Sequence, residues 1–507
     1  MSLNPKWVPM RWPCGPIEAA RIAKSPHPDS GIAQPADPWA NPAALQLLKG
    51  TPINCLVVDW AAGTTDDQAQ QRALAPLIAA GRELGLSFVG KLRSGEGLAA
   101  NVAAAATAGL EAVMLDAPAS PNGSATGSAS ATHSLALPVI LGFPRDTIDW
   151  ARTTQIFSTT ANVWPGVVLP TMTGDTGIGG PTGDPWVDSN GWFVLLARRM
   201  APHRSLWLEI DLPPSSAPLT AQSYCRAIAD SRAYGAHWVL ALDDATRAGI
   251  LRAHPQALAT WQSIAQTLAF FGDHPEWPAF EPMGVLAVVS DFSGKNLFLS
   301  GEALNLLSRR HVQFEILNRR QAFAAPVTGL KAILWADDDQ PGSVQLNHLL
   351  AFIQAGGLLI APAYWGPAAI EPRQESWLPG YSIYNLGKGR IAVASGGFSD
   401  PYQLARDTHL LVGRQNDLAR LFNPGTTGCF TGIGPGRRKQ IVHVVNYAER
   451  ASRFLAVWVN GNPHQASLWS PASQVPRPLD HHPESSGTSF ELPEFSVNCV
   501  LEIERIA

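Results

Sequence analysis

Short apolar segments alternate with helical segments over the first 280 residues, and this alternation constrains the fold more than any other feature. The apolar segments are almost uninterrupted, as in strands that are buried on both faces. We predict strands at residues 7–12, 55–60, 86–92, 112–116, 138–143, 166–170, 206–212 and 237–243. Eight strand–helix repeats in about 250 residues are typical of a (β/α)8 TIM barrel, with an open doubly wound sheet as the alternative.

The connections between these strands are mostly helical. Apolar residues at helical spacing predict helices at 66–84, 97–108, 191–200 and 221–234, and three of the four are followed directly by glycine, which often ends a helix. Two connections differ, because residues 117–134 and 171–190 are rich in Gly, Ser or Asp. We predict long loops there, at the carboxyl ends of the fourth and sixth strands, where barrels build their sites.

Two further domains are predicted after a linker at 272–284. Strands at 285–290, 312–317, 332–335, 358–361 and 391–394, with helices at 301–310 and 343–355, indicate a small flavodoxin-like α/β domain. Short strands separated by turns follow at 441–446, 454–459, 465–469, 489–492 and 496–504, which is typical of an antiparallel β-sandwich. The predicted domains are therefore 1–278, 279–425 and 426–507.

Composition excludes several classes of function. The net charge of −4 and the 15% of charged residues give no sign of a basic nucleic-acid surface. The five cysteines are dispersed without a CxxC motif, so we predict no metal site and no disulfide framework. No cofactor motif occurs, and no apolar run is long enough to span a membrane. Without a recognisable signal peptide, a cytoplasmic location is the expectation.

The order of barrel, flavodoxin-like domain and sandwich resembles the β-galactosidases of glycoside hydrolase family 42. The segment "DPYQLARDTHLLVGRQNDLARLFN" looks like the end of their middle domain, and "IVHVVNYAE" and "FELPEFSVNCVLEIE" look like the sandwich that closes many glycosidases. In that family the middle domain resembles a class I glutamine amidotransferase and serves trimerisation, so the resemblance implies a homo-oligomer. Residues 281–428 contain neither Cys nor GxSxG, so we predict that this domain is not catalytic.

Carboxylates stand at the carboxyl ends of four predicted barrel strands, namely Asp59, Asp116, Glu209 with Asp211, and Asp243. Residues two apart on a strand face the same way, so Glu209 and Asp211 are expected to share one environment. Glycoside hydrolysis uses two carboxyl groups about 5 Å apart for retention, or about 6.5–9.5 Å apart for inversion. Such a pair at the barrel mouth is the predicted catalytic site.

The resemblance implies roles for three of these residues. The family has a Glu nucleophile at the end of the seventh strand, a position that Glu209 or Asp211 matches. Its acid/base is a Glu preceded by Asn at the end of the fourth strand, where this chain has Leu115 and Asp116. The predicted catalytic residues are therefore Asp116, Glu209 and Asp211, with a departure from the family pattern at the fourth strand.

Substrate contacts are predicted for residues near the same strand ends: Arg11, Trp12, Asp59, Trp60, Lys91, Trp186 and Asp243. Each tryptophan has core packing as its alternative, and Asp244 could cap a helix beside Asp243. Lys91 could instead support Schiff-base chemistry. The sequence thus predicts a glycosidase with a carbohydrate substrate. The alternative is a catalytically inactive carbohydrate-binding or assembly protein with the same fold.

Overall fold

The computed structural model describes residues 3–23, 37–93, 95, 97–117, 135–160, 162–168, 186–212, 218–320, 329–365, 372–373 and 377–505. Most of the loops predicted at 117–134 and 171–190 lies outside the described residues. The chain forms two compact units, the first from residues 1–164 and 201–275, and the second from 165–200 and 276–507. Residues 165–200, which the sequence places within domain 1–278, therefore belong to the second unit.

The strands before residue 276 are β1 (Pro9–Arg11), β2 (Cys55–Ala61), β3 (Ser87–Leu92), β4 (Ala112–Asp116), β5 (Val139–Pro144), β6 (Ile156–Thr160), β7 (Gly166–Val168), β8 (Trp186–Asp188), β9 (Ser205–Leu208) and β10 (His237–Trp238). Eight of them form a parallel sheet in the order β1-β2-β3-β4-β5-β6-β9-β10. Met10 forms a parallel bridge with Leu240, and the Arg11 N–H donates to the Leu240 carbonyl at 2.8 Å. The first and last strands thus meet, and the predicted eight-stranded barrel is confirmed.

The predicted sixth barrel strand is wrong. Residues 166–168 form β7, which pairs antiparallel with β8 in the second unit. The sixth barrel position is taken by β6, which pairs with β5 and β9. Its sequence IFSTT has three consecutive hydroxyl side chains and so lacks the apolar run that marks the other strands. Ser158 and Thr159 are nevertheless fully buried, because their positions within the barrel are fixed by the neighbouring strands.

The helices in the same part of the chain are α1 (Pro16–Ala23), α2 (Asp67–Glu83), α3 (Leu98–Ala108), α4 (Gly191–Met200), α5 (Ala221–Tyr234), α6 (Asp244–Leu251) and α7 (Pro255–Gly272). The four predicted helices are confirmed as α2 to α5. Gly109 and Gly235 end α3 and α5 with φ of +88° and +99°, a left-handed conformation that favours glycine.

Helix α4 packs within the second unit, although in the sequence it lies between the barrel strands β6 and β9. Phe193 and Val194 are buried, and the Trp192 ring lies 3.0 Å from the position that a Cβ on Gly301 would take. The Arg198 guanidinium donates to the carbonyls of Pro278 and Phe280 at 3.1 and 2.9 Å. These contacts fix residues 186–200 to the chain that begins after residue 276.

The remaining strands of the second unit are β11 (Glu281–Pro282), β12 (Leu286–Ser290), β13 (Phe314–Asn318), β14 (Ala332–Trp335), β15 (Leu358–Ala361), β16 (Pro372–Arg373), β17 (Tyr381–Leu386), β18 (Gly389–Ala394), β19 (Ala419–Phe422), β20 (Thr427–Ile433), β21 (Lys439–Asn446), β22 (Ala456–Asn460), β23 (Pro463–Ser470), β24 (Ser473–Pro478), β25 (His481–Pro483), β26 (Gly487–Glu491) and β27 (Asn498–Arg505). Its helices after residue 276 are α8 (Asn296–Arg309), α9 (Ser343–Gln354) and α10 (Pro401–Val412).

Three sheets organise these strands. One has the order β13-β12-β14-β15-β18-β17-β16, in which the first five strands are parallel and the last two antiparallel. The other two are antiparallel, with orders β11-β20-β21-β27-β23-β24 and β19-β22-β26-β25. One apolar core joins these two, because Val457 and Phe490 of the smaller sheet and Val444 and Leu501 of the larger sheet belong to the same buried cluster.

No helix in the described part of the chain is both long enough and apolar enough to cross a membrane.

The backbone packs closely around Gly389, the first residue of β18, and leaves no room for a side chain. A Cβ on Gly389 would lie 2.1 Å from the Ile353 carbonyl oxygen and 2.2 Å from that of Gly357. Because both are backbone atoms, we expect Gly389→Ala to cost about 1–3 kcal/mol and to lower the melting temperature. Gly396→Ala is the matched control, since nothing lies within 4 Å of its Cβ position. Equal melting temperatures for the two variants in differential scanning calorimetry would contradict this packing.

Candidate active site

Six polar side chains continue the inward-facing rows of the barrel strands at their carboxyl ends. The apolar interior of the barrel includes Trp7, Val57, Val89, Met114, Ile156 and Trp207. Inward positions recur every two residues along a strand. The next inward positions toward the carboxyl ends are therefore Arg11, Asp59, Lys91, Asp116, Ser158 and Glu209, which we call the mouth ring.

Glu209 is held most firmly of these residues. Its side chain is only 9% exposed, and its Oε2 lies 3.3 Å from the Lys91 ammonium. Its other carboxylate oxygen accepts a hydrogen bond from the Ser158 hydroxyl. The Glu209 main chain is fixed as well, since its N–H donates to the Thr159 carbonyl at 2.9 Å and its carbonyl accepts from the Asn162 amide at 2.7 Å. Both oxygens of the carboxylate thus have defined partners.

Asp211 occupies a different environment from Glu209, contrary to expectation. Strand β9 ends at Leu208, and Glu209 still continues its ladder through the hydrogen bond to the Thr159 carbonyl, whereas Asp211 lies beyond it. Its side chain is 76% exposed and forms a salt bridge with Arg11, which also lies 3.6 Å from Asp59. Burial would raise the pKa of Asp211, but the Arg11 and Lys91 charges hold it below the usual value. Asp211 is therefore an ionised group at the rim.

Lys91 links the acids of the ring electrostatically. Burial would lower its pKa, but the charges of Glu209, then Asp116 and Asp211, raise the pKa above the usual value. A lysine that forms a Schiff base needs a neutral amine at working pH. The raised pKa of Lys91 therefore argues against Schiff-base chemistry and fits a permanent cation that orients Glu209.

Asp116 lies at the end of β4 with an exposed side chain. Its partner residue on β5 is Gly142, and a Cβ there would lie 3.4 Å from the Asp116 carboxylate oxygen. The inward position beside Asp116 thus carries no side chain. With Asp211, the ring holds four acids and two bases and so a formal charge of −2. Such an excess of negative charge stabilises a cation that develops within it.

Asp243 has a structural role. It is the N-cap of α6, where its carboxylate accepts from the Thr246 N–H at 2.8 Å and from the Tyr224 hydroxyl at 2.7 Å. It also accepts from the Thr246 hydroxyl at 2.8 Å and the Leu219 N–H at 3.2 Å, and it is 2% exposed. The expected capping by Asp244 is thus wrong by one residue, because Asp244 is exposed and pairs with Arg247 at 3.3 Å.

Two of the three predicted tryptophans pack in the interior of the first unit, and the third belongs to the second unit. Trp12 and Trp60 are buried, and their indole N–H groups donate to the carbonyls of Trp39 at 2.9 Å and Asn101 at 3.1 Å. Both therefore pack inside the first unit, the alternative considered for each of them. Trp186 belongs to the second unit, where the Arg309 guanidinium lies 4.4 Å from the centre of its ring.

No family model matches the sequence, and neither does any of the curated proteins it was compared with. Among solved structures, the α-L-fucosidase isoenzyme 2 from Paenibacillus thiaminolyticus superposes with a TM-score of 0.57 at 12% identity, over 92% of this chain and 96% of that one. A β-galactosidase from Bacillus circulans sp. alkalophilus gives 0.38 at 11% identity, over 86% and 67%. A rhamnosidase from Novosphingobium sp. PP1Y gives 0.43 at 13% identity, over 87% and 40%.

The similarity to the fucosidase shows that this chain has a glycosidase-like TIM-barrel fold. The other two TM-scores are below 0.5 and carry no weight. At 12% identity the fucosidase shows the fold alone.

The two neighbouring acids Asp243 and Asp244 can be told apart by stability. Asp243→Ala removes a buried cap with four hydrogen bonds and should cost at least about 1–2 kcal/mol of unfolding free energy. Asp244→Ala removes one exposed ion pair, worth at most about 1 kcal/mol. Thermal unfolding followed by circular dichroism measures both, and an equal loss in the two variants would contradict the assigned cap.

The pH dependence of the same cap has a definite sign. Burial would raise the pKa of Asp243, but the bonds from Tyr224 and Thr246 lower it overall. A lowered folded pKa gives stability that is complete above the unfolded value, near 3.9, and is lost as the pH falls through the folded value. The melting temperature of the wild type should therefore exceed that of Asp243→Asn by a constant amount above about pH 5 and by less in stronger acid. A difference in melting temperature that grows as the pH falls would contradict a lowered pKa of Asp243 in the folded protein.

Proposed function

We propose that this protein hydrolyses a glycosidic bond at the mouth ring of its barrel, with Glu209 as the central carboxylate. One observation carries the proposal: Glu209 is inward-facing, and its two carboxylate oxygens are held by Lys91 and Ser158. The glycosidase-like fold supports it. A carboxylate fixed in this way beside a permanent cation suits a group that must be ionised when it attacks or stabilises a sugar carbon.

The other acids complete the proposed mechanism. Asp116 is exposed at the end of β4, next to Gly142, which has no side chain, and acts as the proton donor to the leaving oxygen. Glu209 attacks the sugar carbon as the leaving oxygen departs and forms a glycosyl ester; water, deprotonated by Asp116, then hydrolyses this ester and releases the sugar and the Glu209 carboxylate. Asp211 with Arg11 binds sugar hydroxyl groups at the rim. The ring's net negative charge stabilises the oxocarbenium-like transition state.

The substrate class follows from the same proposal. The resemblance to family 42 β-galactosidases and the likeness to an α-L-fucosidase make galactosides and fucosides the first substrates to test. In this proposal the α/β part of the second unit serves assembly of copies of the chain, as the resemblance implies, and the protein works in the cytoplasm. Hydrolysis is tested with nitrophenyl glycosides of both sugars.

Glu209→Gln should reduce hydrolysis by at least about 10³-fold, because the amide cannot attack or carry the charge. Azide can replace a missing nucleophile in Glu209→Gly, so we expect azide to restore turnover and to yield a glycosyl azide, which mass spectrometry detects. Asp244→Asn is the matched control and should keep full activity, since Asp244 lies outside the ring. Full activity in Glu209→Gln would remove Glu209 from the mechanism.

The leaving group separates the role of Asp116 from that of Glu209. A general acid contributes about 10²–10⁴-fold when the departing oxygen needs a proton. Asp116→Asn should therefore slow hydrolysis of an alkyl glycoside by about this factor but hardly slow hydrolysis of a dinitrophenyl glycoside, whose leaving group departs without help. Equal losses on the two substrates would contradict proton donation by Asp116.

A further inference from the structure

A small pocket lies in the second unit at the first residues of strands β15 and β18. Its volume is about 230 Å³, and its walls include Leu358, Ile383, Arg390 and Leu410. Leu358 pairs with Arg390, and Ile383 pairs with Ala392, so these side chains share one face of the sheet. Helix α10 supplies Leu410 from the other side.

An exposed aromatic ring borders this pocket. Trp377 lines it and is 55% exposed, and Leu410 beside it is 50% exposed. Burying Trp side chains is strongly favourable, so an exposed indole at a concave site indicates a surface that binds something. The flat ring suits the apolar C–H face of a sugar ring, as it suits other flat apolar faces.

Two polar side chains at the pocket have no partner in the described part of the chain. Neither the Arg390 guanidinium nor the Gln415 amide makes a hydrogen bond or an ion pair there. Gln415 is held over Gly413, whose φ is +79°, and a Cβ on that glycine would lie 2.5 Å from the amide atoms. The Gln415 amide thus lies at the pocket, and its oxygen and NH2 group make no hydrogen bond to the described part of the chain.

We infer that this pocket is a carbohydrate-binding site, in which one pyranose ring stacks on Trp377 and its hydroxyl groups bond to Arg390 and Gln415. The volume is below the roughly 300–1,000 Å³ of pockets that hold drug-sized ligands, so it suits one sugar unit of a longer chain. Free donors and acceptors beside an aromatic face match a ring that has both C–H and O–H groups. The choice of a sugar rests on the proposed function.

Native electrophoresis of the full chain in gels that contain galactomannan, xyloglucan or arabinogalactan tests the site. The Glu209→Gln background prevents hydrolysis during the run. We expect at least one polysaccharide to retard the protein, and Trp377→Ala to weaken this binding about tenfold or more. Arg390→Ala should weaken it too. Phe454→Ala is the control, because Phe454 is 86% exposed and does not line the pocket, so its retardation should be unchanged.

Several outcomes would overturn the inference. They are retardation by none of the three polysaccharides, equal retardation of Trp377→Ala and its background, or a change of sedimentation in Trp377→Ala that shows a second copy of the chain as the occupant. Binding and hydrolysis can fail separately. Hydrolysis of nitrophenyl glycosides is measured with Glu209 intact. Loss of retardation on adding Trp377→Ala to Glu209→Gln, together with intact hydrolysis in the single variant Trp377→Ala, supports both proposals. Retardation of the Glu209→Gln variant with no hydrolysis by the wild type contradicts only the proposed function.

Discussion

The contact between Lys91 and Glu209 is the interaction on which the candidate site depends. It joins residues 118 positions apart in the sequence, and only closure of the barrel brings β3 and β9 to face the same interior. A partly buried ion pair is stabilising only while both members are present, because a lone buried charge costs about 3–5 kcal/mol. The Ser158 hydroxyl bonds the second carboxylate oxygen, so the geometry of Glu209 is set by three barrel strands together.

The sequence predicted most of the barrel strands because strands that are buried on both faces consist of almost uninterrupted apolar residues. Strand β4 and helix α4 have the predicted bounds, and glycine ends helices where the pattern stops. Strand β6 was missed because two of its three hydroxyl side chains, Ser158 and Thr159, are buried by tertiary contacts although they are polar. Ser158 was missed with it. Residues two apart on a strand face the same way, so the position of Ser158 two residues after Ile156 was the sequence feature that could have predicted an inward-facing hydroxyl.

The sequence predicted that acids stand at the ends of the barrel strands. It did not predict which acid pairs with which base, namely Glu209 with Lys91 and Asp211 with Arg11. The charges of Asp116, Glu209 and Asp211 all raise the pKa of Lys91, which fits their predicted positions at one end of the barrel. Which acid is buried depends on where β9 stops, and that end is set by neighbouring strands. In the same way, Asp243 rather than Asp244 caps α6, a choice of one residue that the two adjacent acids leave open in the sequence.

Residues 186–200 belong by their packing to a unit whose other residues begin after position 276. The chain therefore leaves the barrel after β6, contributes β7, β8 and α4 to the second unit, and returns at β9. No single cut releases the barrel intact, because a truncation after residue 275 would leave the buried apolar side chains of α4 without the unit in which they pack. Exchange of this barrel for another one, with the second unit kept, therefore needs three junctions in the chain, at residues 164, 200 and 275.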